Sequence, residues 1–109
     1  MLTYINKRGK EVTLQVTRHA YKKFIERYSI IFPKDVLSVN NISNTFKRVF
    51  SSTSKVKNLN QKEKIRLKRH GEDTMFFRTS GFTFVIANAK IVTVEISDKN
   101  KRYLNKIVA

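Results

Sequence analysis

Cysteine is absent from this chain of 109 residues, and glycine occurs only three times. Without cysteine the chain has neither a disulfide framework nor a thiolate nucleophile. Three dispersed glycines do not build a glycine-rich phosphate-binding loop. No apolar run approaches the ~18 residues of a membrane-spanning helix, and residues 1–10 do not resemble a secretory signal. We therefore expect a cytoplasmic protein that is not associated with a membrane.

Acidic residues are also scarce. Eight Asp and Glu stand against 23 Lys and Arg, so the formal charge at pH 7 is +15. With two histidines and scattered acids, the sequence offers no cluster of metal ligands, and we predict neither a metal nor a cofactor. A surplus of positive charge repels itself and is commonly neutralised by a polyanionic partner. The composition therefore predicts that the chain binds RNA or another polyanion.

The apolar content is nevertheless sufficient for a folded core. Hydrophobic residues make up 40% of the chain and include eight Phe and four Tyr, which offset chain entropy when they are buried. The length suits one domain, and we find neither a repeat nor a linker. We predict a single domain over residues 1–109.

The first half of the sequence predicts a hairpin and two helices. Residues 2–5 and 11–17 form the hairpin, because apolar and polar residues alternate after a turn at residues 6–9. Thr17 is a suitable N-cap for a helix with an apolar stripe from Ala20 to Tyr28. A second helix is predicted to begin at Pro33, and the Asn pair at residues 40–41 favours its division into two pieces. Its buried side would contain Val36, Val39, Ile42, Phe46, Val49 and Phe50.

The second half of the sequence predicts a series of strands. Residues 64–69 alternate cations with Ile65 and Leu67, which predicts a strand with one positively charged, solvated face. Residues 74–79, 82–87 and 91–97 follow as strands, and the almost continuous apolar run at 82–87 suits a central position. Residues 99–109 are predicted to form a short helix. The predicted class is α+β, with an N-terminal hairpin and two helices packed on a twisted antiparallel sheet of about four strands.

One histidine and two strand residues suggest metal-free RNA cleavage. His19 would lie in the first turn of the first helix, where the helix dipole disfavours further positive charge, and could transfer protons. Because the RNA 2′-hydroxyl is the nucleophile, a protein need add only a base, an acid and positive charge. Arg78 could hold the scissile phosphate and Thr93 could position it. The predicted phosphate-binding residues are Lys23, Arg27, Lys64, Arg66, Lys68 and Arg69.

Residues 19–27 resemble the opening helix of small RelE-like proteins. That helix typically carries His-Ala, a basic residue four positions after the His and Arg eight positions after it. His19, Ala20, Lys23 and Arg27 match, with Lys23 where Arg is usual, and residues 91–95 resemble the family's closing strand with its hydroxyl residue. The resemblance covers residues 12–97. It implies the fold of the barnase, EndoU, colicin and RelE ribonucleases, a cytoplasmic endoribonuclease acting on free or ribosome-bound RNA, and an acidic antitoxin partner.

Two other functions fit the same charge. A non-catalytic RNA- or DNA-binding module would use the basic residues and leave His19 without a role. A scaffold for an acidic protein would share the charge but have no affinity for nucleic acid. Each candidate residue also has an ordinary structural role: a solvated histidine, a cation on a strand face, or a β-branched strand former in the case of Thr93.

Overall fold

Three helices and six strands make up the described part of the chain. The computed structural model describes residues 2–6, 8–35, 37–38, 40–71, 74–79 and 81–96. In chain order the elements are β1 (Leu2–Ile5), β2 (Glu11–Val16), α1 (Arg18–Ile31), α2 (Ile42–Ser51), β3 (Ser54–Lys55), α3 (Gln61–His70), β4 (Met75–Arg78), β5 (Phe82–Ala87) and β6 (Lys90–Ile96). The predicted helix over residues 99–109 lies outside the described residues.

The strands form one mixed sheet in the order β1-β2-β6-β5-β4-β3. The α+β class is confirmed, but the prediction of about four antiparallel strands is wrong. All neighbours are antiparallel except β2 and β6, which pair in parallel at Gln15–Lys90 and Val16–Ile91. This pairing uses the backbone groups on the second edge of β2, which a separate hairpin would leave unpaired. The hairpin is therefore part of the main sheet.

Aromatic rings from α1, α2 and β5 build the main core on one face of the sheet. Phe24 of α1 is fully buried, with its ring centroid 4.8 Å from that of Phe46 and 5.6 Å from that of Phe82. Phe84 is also fully buried and packs edge-on against Phe46. The apolar stripe from Ala20 to Tyr28 and the apolar run at residues 82–87, both predicted from the sequence, thus supply the core rings of Phe24 and Phe84. The helices lie here because their apolar stripes can be buried only against this face.

The start of α1 is attached directly to the sheet. The Oγ1 of Thr17 accepts a hydrogen bond from the backbone N–H of Ala20 at 3.1 Å, so the predicted N-cap is confirmed. The same hydroxyl lies 3.0 Å from the carbonyl oxygen of Ile91, to which it donates. One side chain thus ends β2, begins α1 and contacts β6.

The second helix begins later than predicted. The chain turns after α1, and the Tyr28 hydroxyl donates to Asp35 Oδ2 at 2.9 Å, which holds this turn against α1. Burial, together with the bond to Asp35, raises the pKa of Tyr28, so the hydroxyl keeps the proton that it donates. A helix starting at Pro33 is therefore wrong, and α2 begins at Ile42. Of its predicted buried residues, Phe46 and Phe50 are confirmed, Ile42 and Val49 are half-buried, and Val36 and Val39 lie outside the described residues.

The basic stretch that alternates at residues 64–69 is a helix rather than a strand. Asn60 and Glu63 form a reciprocal capping box, in which Asn60 Oδ1 accepts from Glu63 N–H at 2.9 Å and Glu63 Oε1 accepts from Asn60 N–H at 3.0 Å. Gly71 ends the helix with φ of 106°, a conformation that glycine adopts most easily. Start and stop signals outweigh an alternation only six residues long.

We predict that Phe24→Ala destabilises the fold by roughly 3–5 kcal/mol, because it removes a fully buried ring that four aromatic side chains contact. The free energy of unfolding from urea titration followed by circular dichroism measures this loss. Ile30→Ala is the matched control on the same helix, since Ile30 is 48% exposed and should change stability by less than about 1 kcal/mol. Equal losses in the two variants would contradict this packing.

Candidate nucleic-acid interface

Helix α3 covers the sheet face opposite to α1 and α2. All six residues of β5 are buried, which requires cover on both faces. Phe82 and Phe84 face α1, so the alternate residues Thr83 and Val85 face the other way. Polar contacts join that second face to α3. The central position predicted for residues 82–87 is therefore confirmed.

Two ion pairs attach α3 to the sheet. Arg78 of β4 pairs with Glu63, whose side chain is only 6% exposed, and Arg78 Nε also donates to Thr83 Oγ1 at 3.1 Å. Arg66 pairs with Glu95 of β6. Because Arg78, Thr83 and Glu95 are neighbours across β4, β5 and β6, they form one polar row beneath the helix. The inner side of α3 is thus attached to the sheet by ion pairs as well as by apolar contacts.

The outer side of α3 carries cations without acidic partners. Lys62, Lys64, Lys68 and Arg69 are exposed, and none of them forms an ion pair with a described acid. Ile65 lies among them with 53% of its surface exposed. We call these five residues the α3 basic surface. Such a row of cations around one apolar side chain suits a phosphate backbone with bases nearby.

The predicted phosphate-binding residues therefore divide into three groups. Lys64, Lys68 and Arg69 belong to the α3 basic surface. Arg66 is engaged with Glu95 and points to the sheet rather than outward. Lys23 and Arg27 lie one turn apart on α1 and share Glu26, with Lys23 Nζ 3.4 Å and Arg27 Nη1 4.0 Å from Glu26 Oε2.

The structure does not bring the three predicted catalytic residues together. His19 is exposed in the first turn of α1, the helix that packs on the first face. Thr93 pairs with Val85, and Arg78 pairs with Thr83, which places both side chains on the second face, beneath α3. Arg78 is also already bound to Glu63. His19 thus lies on the opposite side of the sheet from the other two.

Sequence reasoning missed the residues that orient this interface. The sequence patterns described above do not single out Glu63, Thr83, Glu95 or Lys62. The detectable signal was the pair Asn60 and Glu63, which predicts a helix start by its three-residue spacing. A helix would have placed Lys64 and Lys68 on one side and Arg66 on another, because residues four apart share a helix face.

Comparisons with known proteins identify no relative of this chain. No family model matches it, and neither a curated protein nor a solved structure is significantly similar to it. Within the described ranges, no three His, Cys, Asp or Glu side chains are grouped as metal ligands. In the same part of the chain, no helix has the length and apolar character needed to cross a membrane. The functional argument therefore depends on the geometry of the chain itself.

We predict that Arg78→Met destabilises the protein by roughly 2–3 kcal/mol, because it leaves the buried Glu63 carboxylate without its cation. The loss of stability should be smaller than for a fully buried ion pair, because the Arg78 side chain is 35% exposed. Urea denaturation measures it. Adding Glu63→Gln to Arg78→Met should recover part of the lost stability, and strictly additive losses would argue against the pair.

Proposed function

We propose that this chain is an RNA-binding protein that places the α3 basic surface on the phosphate backbone. The observation that carries the proposal is the distribution of charge around α3. The two described acids that pair with residues on the inner side of the helix, Glu63 and Glu95, are both engaged by arginines. The exposed cations on the outer side pair with no described acid and can therefore contact an external anion.

The arrangement favours a polyanion over isolated anions. Four cations on one helical surface repel one another, and that repulsion is relieved when phosphates at regular spacing bind to them. The C-terminal dipole of α3 already favours Lys68 and Arg69 in the last turn, which supplies an ordinary structural role for these two. It supplies none for Lys62 and Lys64 in the first half of the helix. An acidic antitoxin protein is the alternative polyanionic partner.

Endoribonuclease activity of the RelE-like kind, as the toxin of a toxin–antitoxin pair, is our second proposal. It is supported by the exposure of His19 in the first turn of α1, with Lys23 and Arg27 on the same side of the helix. These cations, rather than the engaged Arg78, would then have to bind the scissile phosphate. A histidine with two cations can supply proton transfer and charge. The binding proposal needs no such rearrangement and is the one that we prefer.

The binding proposal predicts a steep salt dependence. With about four phosphate contacts to single-stranded RNA, log affinity should fall against log salt with a slope near −2.8. Lys64→Gln with Lys68→Gln should make this slope shallower by about 1.4 and leave the circular dichroism spectrum unchanged. Fluorescence anisotropy with a labelled oligonucleotide over a range of salt concentrations measures both slopes.

The control variant is Lys22→Gln with Lys34→Gln, which removes the same charge from exposed positions away from α3. It should leave the slope close to that of the wild type. If both double variants reduce the slope equally, binding is diffuse and the α3 basic surface is not the interface. A slope near zero for the wild type would refute RNA binding through phosphates and favour an acidic protein partner.

The catalytic proposal predicts that His19→Ala lowers RNA cleavage by about 10²–10⁴-fold while changing RNA affinity little. Cleavage of labelled RNA, with and without added ribosomes, measures the rate, and filter binding measures affinity. His70→Ala is the matched control, since His70 is an exposed histidine at the end of α3. No cleavage by the wild type in either assay would leave RNA binding as the function.

A further inference from the structure

A cleft of about 790 Å³ opens at one end of the sheet. The sheet curls, because β1 and β4 are separated by three strands in the sheet order and yet Tyr4 packs edge-on against Phe77 with ring centroids 5.9 Å apart. The cleft lies where the β1–β2 loop, the segment after β3 and the β5–β6 turn meet, with Leu67 and Phe76 among its apolar lining residues. Its size lies within the roughly 300–1,000 Å³ of small-molecule sites.

The described lining of the cleft is positively charged. Arg8, Lys55 and Lys57 line it and are exposed, whereas no described lining residue is acidic. Glu72 and Asp73, which precede Thr74 in the chain, lie outside the described residues. Three cations at the rim of an apolar recess suit a ligand with an anionic group joined to a flat or apolar body.

One buried hydroxyl in the cleft lacks a partner. Thr74 is only 6% exposed, and its Oγ1 makes no hydrogen bond to any residue that the structure describes. A buried polar atom without a partner is destabilising, so native proteins rarely retain one without a ligand or a water to satisfy it. Thr74 also lines the cleft, and its hydroxyl, which is itself closed to solvent, would have to turn toward the cleft to meet a bound molecule.

The cleft also presents an aromatic ring and a tightly fixed turn. Tyr4 is half-buried and supported by Phe77, so its ring can receive a base without first becoming ordered. Asn88 and Ala89 have φ of 54° and 59°, the left-handed conformation of a two-residue hairpin turn. Gln15 N–H donates to the Ala89 carbonyl at 3.0 Å, which holds this turn against β2.

From these features we infer that the cleft binds a nucleoside phosphate, with the base against Tyr4 and hydrogen-bonded to Thr74, and the phosphate at Arg8 and Lys57. The ligand is either a free nucleotide or an unpaired nucleotide of a bound RNA strand. The second source rests on the proposed RNA binding. It is supported by Leu67, which lines the cleft and belongs to α3, the helix whose outer side carries the α3 basic surface.

The experiment measures the affinity of the whole chain for four probes: a nucleoside monophosphate, inorganic phosphate, a short single-stranded RNA and an RNA duplex. Thr74→Val is the decisive variant, because it keeps the side-chain shape and removes the hydroxyl. It should raise the thermal midpoint of the free protein and weaken binding of the nucleoside monophosphate or the single strand by roughly three- to tenfold. Duplex binding should be unchanged.

A double variant tests the two cations proposed to bind the phosphate. Arg8→Gln with Lys57→Gln should weaken the same probes more than Lys22→Gln with Lys34→Gln, which changes the charge equally outside the cleft. Binding of the mononucleotide identifies a free nucleotide as a ligand, and binding of the single strand alone identifies an unpaired nucleotide of RNA. Either result supports the site, provided that Thr74→Val weakens the binding of that probe.

Three results would overturn the inference. These are binding of inorganic phosphate as tight as that of the nucleotide, no effect of Thr74→Val on any probe, or equal effects of the cleft and control double variants. If these results appear while Lys64→Gln with Lys68→Gln still lowers RNA affinity, the cleft inference fails and the proposed function stands. If neither the cleft variants nor Lys64→Gln with Lys68→Gln lower RNA affinity, both the cleft inference and the proposed function fail.

Discussion

The pairing of Glu63 with Arg78 is the interaction on which the second face of the protein depends. Glu63 is almost fully buried, so its carboxylate requires a cation, and Arg78 supplies it from β4 while also bonding Thr83. The other oxygen of the same carboxylate accepts the N–H of Asn60 and so completes the capping box that begins α3. One side chain therefore determines where the helix starts and where it docks. The buried state of β5 and the outward direction of Lys64 follow from that placement.

The docking of α3 separates the charges of this basic chain into two sets. The arginines at 66 and 78 are used inside, each with a glutamate distant in sequence. The lysines of the same helix remain outside, where no described acid neutralises them. Arg69 is the one arginine among the four outward cations of α3. The other three are lysines, whose ammonium groups are strongly hydrated, whereas the planar guanidinium groups of the two inward arginines form directed contacts with carboxylates. The cleft beside α3 also carries cations, so groups suited to phosphate occur both on the outer side of the helix and along the described lining of the cleft.

The sequence predicted those elements whose apolar residues repeat with a clear period. β2, α1 and β5 were correct because alternation, helical spacing and a continuous apolar run each reflect direct burial. α3 was misread because its buried side consists largely of Glu63 and Arg66, and a pattern of apolar residues cannot report burial achieved through ion pairs. The parallel pairing of β2 with β6 was missed because it joins segments some 75 residues apart. For the site, charge and exposure could be predicted, whereas the separation of His19 from Arg78 and Thr93 required the sheet register.

The most direct test of this account is to map, by amide chemical shifts of the full chain in nuclear magnetic resonance spectra, which residues respond when a short single-stranded RNA is added. The account predicts shifts concentrated on Lys62 to Arg69 and on the lining of the cleft, with Thr74 among the residues that change most. Shifts concentrated around His19, Lys23 and Arg27, with α3 unaffected, would contradict the interface proposed here. An unchanged spectrum at saturating RNA and low salt would contradict RNA binding itself.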